Sequence, residues 1–315
     1  MNVKKLICSI GFILLMATFT NAKLVGYWQM DESSGKTAND RLGDKPATLI
    51  GDAKFEPDSG KFGGAVRFGP KGDLVKILGY KGICGKSPRT VSAWVKAESP
   101  GTIFSWGNPM IKGGLWEILA KLMVNDGTSD AIVLHLSVMP GIIQGTTPLI
   151  DGKWHHIAVV LKESQSPHLS DIVLYVDGKE EIIDVMRNYS IDTKEERFVW
   201  IGYELKGLVD EVAIFDNSLN QAEITQLYKQ RALSFIGPES QKVVEVISKA
   251  KALMEKQEYG RAVKLLQINI VELRQKSISK PNKKNVLLSQ LSNLYFQLAI
   301  AKEAAGLAES EYVED

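Results

Sequence analysis

The stretch WHHIAVVLKESQSPHLSDIVLYVDG, residues 154–178, contains the clearest alternation in the chain. Residues 154–161 and 172–176 repeat with a period of two and are apolar on both faces, and Asp177-Gly178 is typical of a tight hairpin turn. The residues expected to share one face of this strand pair are Ile157, Val159, Leu161, Ile172, Leu174 and Val176. Strands that are apolar on both faces lie inside layered β structures, because neither surface meets much water. The stretch therefore predicts a sheet that is covered on both sides.

Further strands are predicted on either side of this pair. In residues 90–96, for example, Val91, Ala93 and Val95 alternate with polar residues and a tryptophan. The segments predicted as strands are residues 23–30, 47–50, 62–68, 90–96, 132–138, 197–202 and 207–215, with strands and loops in residues 101–118. Repeated strands with glycine-rich turns between them predict a β-sandwich.

Several motifs in these segments share a family pattern. They are Trp28 to Gly35 (WQMDESSG), residues 62–68 (FGGAVRF), 90–96 (TVSAWVK), 154–178, 207–215 (GLVDEVAIF) and 218–224 (SLNQAEI). In this order they resemble a laminin-G-like domain, the concanavalin A-like jelly roll of lectins, pentraxins and glucanases. The resemblance extends from Leu24 to Tyr228 and implies a mainly β fold, a concanavalin A-like jelly-roll β-sandwich. Gly69-Pro70 departs from the family pattern, which has Asp-Gly there.

The N-terminus has the pattern of a secretory signal peptide. Lys4 and Lys5 precede an apolar run over residues 6–17, and residues 20–22 supply small side chains for cleavage after Ala22. The run is short for a bilayer-spanning helix, and an uncleaved N-terminal anchor is the alternative. We therefore expect removal of residues 1–22, no membrane insertion after cleavage, and a secreted protein, extracellular or periplasmic.

The net charge bears on which partners to expect, and the cysteine content bears on how the fold is stabilised. The chain has 38 Lys and Arg against 37 Asp and Glu, so loss of Lys4 and Lys5 leaves 36 against 37, a net charge of −1. This balance gives no electrostatic reason to expect nucleic-acid or membrane binding. Cys84 is the single cysteine left after cleavage, so stability must come from core burial without an intramolecular disulfide.

The composition changes at residues 235–238, after which apolar residues recur at helical spacing. The apolar positions of three predicted helices are Val243, Ile247, Ala250 and Met254, then Val263, Leu266, Ile270 and Leu273, then Leu287, Leu291, Leu294, Leu298, Ala301 and Ala305. Residues 250–267 resemble a tetratricopeptide repeat, in which Tyr259 and Ala262 would lie at the helix–helix contact. We expect residues 239–315 to form a small α-helical, tetratricopeptide-like extension that packs on a protein partner, a second copy or the sandwich. The alternative is that the third helix only closes the hairpin formed by the first two.

Catalysis of the glucanase type requires two carboxylates that project from one strand into a cleft. The E-x-D-x-E signature of that family has no match in the sequence. Glu180, Glu181 and Asp184 fall at a hairpin edge, and alternation places the adjacent Asp210 and Glu211 on opposite faces. We therefore expect the chain not to be an enzyme.

Two metal hypotheses follow from the residue types. His155 and His156 are adjacent on a strand and diverge, so they do not bind one ion together, and we expect one imidazole to pack beside Trp154 and the other to lie in solvent. The family resemblance implies calcium instead, because jelly rolls of this superfamily often hold an ion between the first and closing strands. In this sequence that implies Asp210, with help from Asp31. The alternative is that Asp210 and Glu211 only cap loops and carry surface charge.

Sugar binding would require aromatic rings that stack on pyranose faces. Tyr80, Trp106, Trp116 and Tyr203 lie in loop-rich segments, and we take the last three as the candidate ligand-binding residues. The tryptophans expected in the core are Trp28, Trp94, Trp154 and Trp200.

The sequence as a whole predicts a secreted, non-catalytic recognition protein. The expected boundaries are 1–22 for the signal peptide, 23–232 for the sandwich, 233–238 for a linker and 239–315 for the helical extension. The sandwich would bind carbohydrate, or a glycosylated or protein surface, and the helices would dock a protein partner. The alternatives are a structural component of a cell-surface or extracellular assembly without a soluble ligand and, less favoured, a glycoside hydrolase.

Overall fold

Two antiparallel β-sheets make up most of the chain. The computed structural model describes residues 23–42, 45–69, 72–122, 130–135, 141–236, 238–279, 294–295 and 297–306. The predicted signal peptide and the predicted helical positions Leu287 and Leu291 lie outside these ranges.

The first sheet, sheet I, has eight strands in the described residues. In spatial order they are β14 (Lys179–Glu180), β13 (Ile172–Val176), β12 (His155–Leu161), β7 (Arg89–Ala97), β17 (Gly207–Phe215), β5 (Ala65–Phe68) and β4 (Lys54–Glu56), with β1 (Leu24–Trp28) also paired to β17.

The second sheet, sheet II, has nine strands in the described residues. In spatial order they are β15 (Val185–Arg187), β11 (Ile142–Gln144), β10 (Asp130–His135), β9 (Leu115–Leu122), β8 (Gly101–Gly107), β16 (Arg197–Ile201), β6 (Leu74–Ile77), β3 (Ala47–Ile50) and β2 (Thr37–Ala38).

The stretch at residues 154–178 forms the predicted strand pair. β12 and β13 run antiparallel, with Ile157 opposite Val176. Asp177 and Gly178 then turn the chain into β14 with φ angles of 50° and 76°. A tight hairpin turn requires positive angles of this kind, so the prediction from the sequence is confirmed.

A large apolar core lies between the inner faces of the two sheets. Its members include Trp28, Phe68, Val95, Val159, Ile201 and Val212. The outer face of sheet I is apolar as well, and it is covered by helix α1 (Gln221–Lys229) and a 3₁₀ turn (Ala232–Phe235). This cover accounts for strands that are apolar on both faces.

Helix α1 has a well-defined start that fixes it over sheet I. Asn220 accepts a hydrogen bond from the backbone N–H of Glu223 at 3.0 Å, and the Glu223 carboxylate accepts one from the Asn220 N–H at 2.8 Å. This reciprocal capping box satisfies two donors that the first turn would otherwise leave unpaired. Tyr228 then stacks on Trp94 with ring centroids 5.4 Å apart.

Trp106 and Trp116 lie in the core. They are opposite each other in β8 and β9, have no exposed surface, and stack with ring centroids 5.6 Å apart. The backbone covers the pair closely, since a Cβ on Gly82 would lie 2.6 Å from the Trp106 ring. The prediction that these two rings bind a ligand is therefore wrong, because neither ring offers a free face.

A buried arginine lies beside this pair of rings. Arg89 has no exposed surface, and its guanidinium lies 4.9 Å from the ring centroid of Trp116. It donates to backbone carbonyls of the loop at residues 83–87 and to Oγ1 of Thr193 at 3.0 Å. Burial lowers the pKa of Arg89 to about 10. The hydrogen bonds offset the cost of placing a charge in the interior.

The chain continues into two long helices, α2 (Pro238–Glu255) and α3 (Tyr259–Ser279), and residues 294–295 and 297–304 are also helical. The predicted apolar positions of these helices meet in a second core, which includes Val243, Ile247, Ala250, Ala262, Val263, Leu266, Ile270, Leu273, Leu294, Leu298 and Ala301. The prediction of helices is confirmed for these residues, and the tetratricopeptide type stays a prediction. None of the described helices combines the length and apolar character that a bilayer crossing requires.

The segment predicted as a linker is packed. Residues 233–238 include most of the 3₁₀ turn, and Phe235 packs edge-on against Phe215 with centroids 5.2 Å apart. Helix α2 then contacts the sandwich, where Nη1 of Arg41 donates to Oγ of Ser248 at 2.6 Å. A cleft of about 290 Å³ with charged walls remains beside this contact. Helix α2 therefore contacts the sandwich, which is one of the three expected arrangements.

Trp116→Ala should lower the free energy of unfolding by ~3–5 kcal/mol, because it leaves a cavity where a stacked ring fills the core. Trp200→Ala, a matched change at a half-buried ring on the outer face of sheet II, should cost much less. Urea unfolding followed by tryptophan fluorescence measures both changes. Equal losses would contradict the assignment of Trp116 to the core.

Candidate functional site

The closing strand β17 contains a bulge that redirects two of its side chains. Against β7, the register shifts by one residue between Asp210 and Ala213, and Glu211 has a φ of 54°. Val209 and Val212 both belong to the inner core, so the two residues between them face outward together. The prediction that Asp210 and Glu211 point to opposite faces is wrong, because strict alternation fails at a bulge.

Five polar side chains meet at this bulge: Tyr27, Asp31, Asp210, Glu211 and Arg231, which we call the acid–arginine cluster. Nη1 of Arg231 donates to Oδ2 of Asp31 at 2.5 Å, and its Nε lies 3.4 Å from Oε1 of Glu211. The hydroxyl of Tyr27 donates to Oε2 of Glu211. Asp31 follows β1 and Arg231 follows α1, so the cluster joins both ends of the sandwich to β17.

The turn at residues 62–64 closes the cluster from one side. The Phe62 N–H donates to Oδ2 of Asp210 at 3.0 Å, and the Gly64 N–H donates to Oδ1 of Asp31 at 2.9 Å. Gly63 has a φ of 80°, and a Cβ there would lie 2.5 Å from Oδ1 of Asp31. The paired glycines therefore allow a close approach of two segments.

Burial dominates the electrostatics of the acid–arginine cluster. Asp210 has no exposed surface, and burial, reinforced by the charge of Asp31, raises its pKa to about 7. Burial and the charge of Asp210 raise the pKa of Glu211 to about 8, against the opposing effects of Tyr27 and Arg231. The pKa values of both carboxyl groups therefore lie near neutral pH, while Arg231 pairs with Asp31.

The structure brings Asp31 and Asp210 together, the two residues from which calcium binding is predicted. A calcium ion takes ~6–8 oxygen ligands. Both oxygens of Asp31 and both of Glu211 already contact Arg231, Tyr27 or a backbone N–H. No group of three or more His, Cys, Asp or Glu side chains in the described ranges is arranged to hold a metal ion. The donor set therefore does not fit calcium while Arg231 is in place.

A second candidate site lies on the outer face of sheet II. In β16, Val199 and Ile201 belong to the core, so Phe198 and Trp200 point outward. Tyr203 follows in the next turn, and its ring centroid lies 5.5 Å from that of Trp200. Phe198, Trp200 and Tyr203 are all half-buried, and we call them the aromatic patch.

Charged side chains surround the aromatic patch. The guanidinium of Arg197 lies 5.2 Å from the ring centroid of Trp200. The ammonium groups of Lys76 and Lys81 lie 5.0 and 4.6 Å from the ring centroid of Phe198. Cations near aromatic faces are attracted by the ring quadrupole, and they also bring hydrogen-bond donors. The patch thus offers apolar ring surface next to polar groups.

Two buried polar atoms at the patch have no hydrogen-bond partner among the described residues. They are Nε1 of Trp200 and Oγ of Ser105, which are opposite each other in β16 and β8. On the next strand, Glu117 accepts a hydrogen bond from Oγ1 of Thr102 at 3.2 Å. Buried polar groups of this kind usually complete their bonds with water or a ligand.

Of the residues predicted to bind a ligand, Tyr203 lies in the aromatic patch, whereas Trp106 and Trp116 lie in the core. Trp200 is predicted to be in the core but faces outward. The aliphatic residues on either side of it in β16 are the sequence signal for this orientation. Tyr80 is half-buried and packs against the main core.

The adjacent histidines have separate environments, as predicted. His156 is 2% exposed and packs edge-on against Trp94, and burial lowers its pKa to about 3. Nδ1 of His155 lies 2.9 Å from Oδ2 of Asp177, and its Nε2 lies 3.2 Å from Oδ1 of Asp151. His156 is therefore neutral in the apolar layer, while His155 pairs with two carboxylates.

Residues 72–225 match the family model described as the concanavalin A-like lectin/glucanases superfamily. The sandwich has the concanavalin A-like fold. The match covers β6 to β17 and the first part of α1, and it contains the aromatic patch and two members of the acid–arginine cluster, Asp210 and Glu211. No curated protein matches the chain in sequence.

Solved structures similar to the sandwich come from diverse proteins. Domain 4 of the extracellular arabinanase AbnA from Geobacillus stearothermophilus, solved with arabinotriose, is 20% identical, has a TM-score of 0.48, and covers 66% of this chain and 98% of its own. The botulinum neurotoxin serotype D binding domain is 13% identical with a TM-score of 0.45, covering 65% of this chain and 51% of its own. The Trypanosoma rangeli sialidase, solved with the inhibitor DANA, is 15% identical with a TM-score of 0.43, covering 65% of this chain and 32% of its own. These likenesses are too distant to bear on function.

Asp210→Asn should flatten the pH dependence of stability. In the folded state the pKa of Asp210 is about 7, whereas an aspartate in an unfolded chain titrates near ~3.9. The folded chain therefore keeps a proton that the unfolded chain has lost, so its stability is full below about pH 4 and falls as the pH rises through about 7. Because the amide does not ionise, the variant should gain stability relative to wild type between about pH 5 and about pH 8.

Urea unfolding of wild type and Asp210→Asn at about pH 5 and about pH 8 measures this difference in stability. Asp58→Asn, at an exposed aspartate with a φ of 58°, is the matched control and should keep the wild-type pH dependence. An Asp210→Asn variant with the same pH dependence as wild type would show that this carboxyl group is ionised throughout the range.

Proposed function

We propose that the chain is a secreted, non-catalytic recognition protein whose concanavalin A-like sandwich binds carbohydrate, or a glycosylated or protein surface. The aromatic patch is the proposed site. One observation supports it most strongly: Trp200 and Tyr203 present neighbouring rings, 5.5 Å apart, on the open face of sheet II.

The chemistry of the aromatic patch suits a sugar ring. A pyranose has an apolar C–H face that packs on aromatic rings, and hydroxyl groups at its edge that require polar partners. Trp200 and Tyr203 supply the rings, while Arg197, Lys76 and Lys81 supply donors at the rim. Arginine donors are planar and fixed in direction, so they favour particular hydroxyl arrangements.

The environment of the buried acids supports a non-catalytic role. Hydrolysis of a glycoside requires two carboxyl groups that both reach the substrate. Asp210 and Glu211 have raised pKa values, but they lie on sheet I, on the opposite side of the sandwich from the aromatic patch. They are held by Phe62, Tyr27 and Arg231. Their position favours a role in holding the fold together.

Two further parts of the proposal concern the rest of the chain. Removal of residues 1–22 and secretion stay predictions from the sequence. Docking of a protein partner or a second copy through residues 239–315 also stays a prediction, and the exposed Ile268 (58%) and Val271 (54%) on α3 are the surface that favours it. The alternative is a structural component of an extracellular assembly without a soluble ligand.

Trp200→Ala and Tyr203→Ala should each weaken glycan binding by ~10-fold or more, because each removes ring surface from the sugar contact. A glycan array probed with residues 23–315 identifies the glycan, and calorimetry with that glycan measures the affinity. Ile182→Ala, at a residue 76% exposed between β14 and β15, is the control and should bind as wild type does.

The same experiments test the alternatives. Unchanged affinity of Trp200→Ala would remove the aromatic patch from the proposal, and a wild-type protein that binds no glycan would favour the structural alternative. Release of reducing sugar from the bound glycan would contradict the non-catalytic role.

If residues 239–315 mediate self-association, the protein should sediment as a dimer or larger species at micromolar concentration. The double variant Ile268→Asp/Val271→Asp should return it to a monomer, because charges at the contact oppose burial. Analytical ultracentrifugation measures the mass, with Ile182→Asp as a control on the sandwich. A wild-type monomer that the double variant leaves unchanged would rule out self-association through this face.

A further inference from the structure

Arg231 lies at a point where several oxygen atoms converge. Its guanidinium contacts both carboxylate oxygens of Asp31, at 2.5 and 3.4 Å, and Oε1 of Glu211 at 3.4 Å. It also donates to the carbonyl of Phe62. Oδ1 of Asp210 is buried in the same cluster and has no hydrogen-bond partner. Carboxylate and carbonyl oxygens of this kind are the ligands that hard cations take.

The contacts of Arg231 use the specific geometry of a guanidinium. Its three nitrogens reach two carboxylates and one carbonyl in different directions, which a single ammonium group does not reproduce. Burial lowers the pKa of Arg231, but the hydrogen bonds to Asp31 and the charge of Glu211 outweigh this and raise it overall. Because an arginine guanidinium is effectively always protonated in proteins, the cluster contains this positive charge at physiological pH.

We propose that Arg231 is the resident cation of the acid–arginine cluster, in place of the calcium ion that the family resemblance implies. The native protein then neither requires nor takes up calcium at this position. Removal of the guanidinium converts the remaining oxygens of the cluster into a divalent-cation site.

The position of Arg231 in the chain gives the guanidinium a structural role that a calcium ion would not have. It lies between α1 and the 3₁₀ turn, where the chain leaves the sandwich for the helical extension. An ion in this position would hold only the strands, whereas Arg231 also fixes the backbone that leads to α2. The side chain of Arg231 thus supplies the positive charge of the cluster and also anchors the start of the helical extension.

The test compares five forms of residues 23–315: wild type, Arg231→Ala, Arg231→Ala/Asp210→Asn, Arg231→Lys and Asp210→Asn. Melting temperatures are measured in a calcium chelator, in CaCl₂ and in MgCl₂, and calorimetry measures calcium binding directly. The wild type should melt at one temperature in all three solutions. Arg231→Ala should melt lower in chelator and regain stability in CaCl₂, because an ion that binds only the folded state stabilises it by mass action.

The controls separate this effect from non-specific salt effects. Magnesium should stabilise Arg231→Ala less than calcium does, because it demands a tighter octahedral arrangement of ligands. The double variant should lose the calcium response, because it lacks the charge of Asp210. Arg231→Lys keeps a positive charge and should remain insensitive to calcium.

Three results would overturn the proposal. The first is a wild-type melting temperature that rises in CaCl₂ and loses this rise in Asp210→Asn, which would place calcium beside Arg231. The second is an Arg231→Ala variant that melts at the same temperature in chelator and in CaCl₂. The third is an Arg231→Ala variant that fails to fold in both solutions, whereas folding only in the presence of calcium would support the proposal.

Discussion

The extra residue in β17 determines how sheet I closes. On one edge, β17 pairs with β5 through Val209 and with β1 from Val212 onward, so a single strand serves two partners in succession. The bulge lies between these partners and turns two carboxyl groups to the same buried side. Burying two like charges is costly unless they are neutralised. Protonation and the guanidinium of Arg231 supply that neutralisation, which makes strand pairing and electrostatics at this edge interdependent.

The two outer faces of the sandwich differ in how far the chain itself covers them. The outer face of sheet I is closed by the chain itself, through α1, the 3₁₀ turn and the approach of α2. Sheet II keeps a face on which Trp200 and Tyr203 are accessible, with cations at the rim. Under the proposed function, a ligand of this sandwich meets sheet II, and the acids of sheet I hold the fold together. The two outer faces differ because α1 and the 3₁₀ turn lie over sheet I, while the described residues leave the outer face of sheet II uncovered at the aromatic patch.

The strands of the sandwich could be predicted because alternation reports directly which side chains are buried. The same rule predicts that Phe198 and Trp200 face outward, once Val199 and Ile201 are recognised as the core face. It fails at Asp210 and Glu211, because a bulge with a non-glycine residue at positive φ leaves no reliable mark in the sequence. The role of Arg231 was equally hidden, since its partner Asp31 lies 200 residues away and no local motif connects them.

The pairing of β1 with β17 also has a consequence for the order in which the chain folds. Tyr27 and its partner Glu211 are separated by 184 residues, so their contact closes a loop that spans nearly the whole sandwich. Such non-local contacts form late, because the entropy of loop closure must be lost before the contact stabilises the chain. We therefore expect β1 to be among the last strands to pair. A chain that ends before residue 215 lacks part of β17, the strand with which β1 pairs. The strands between β1 and β17 do not replace this partner.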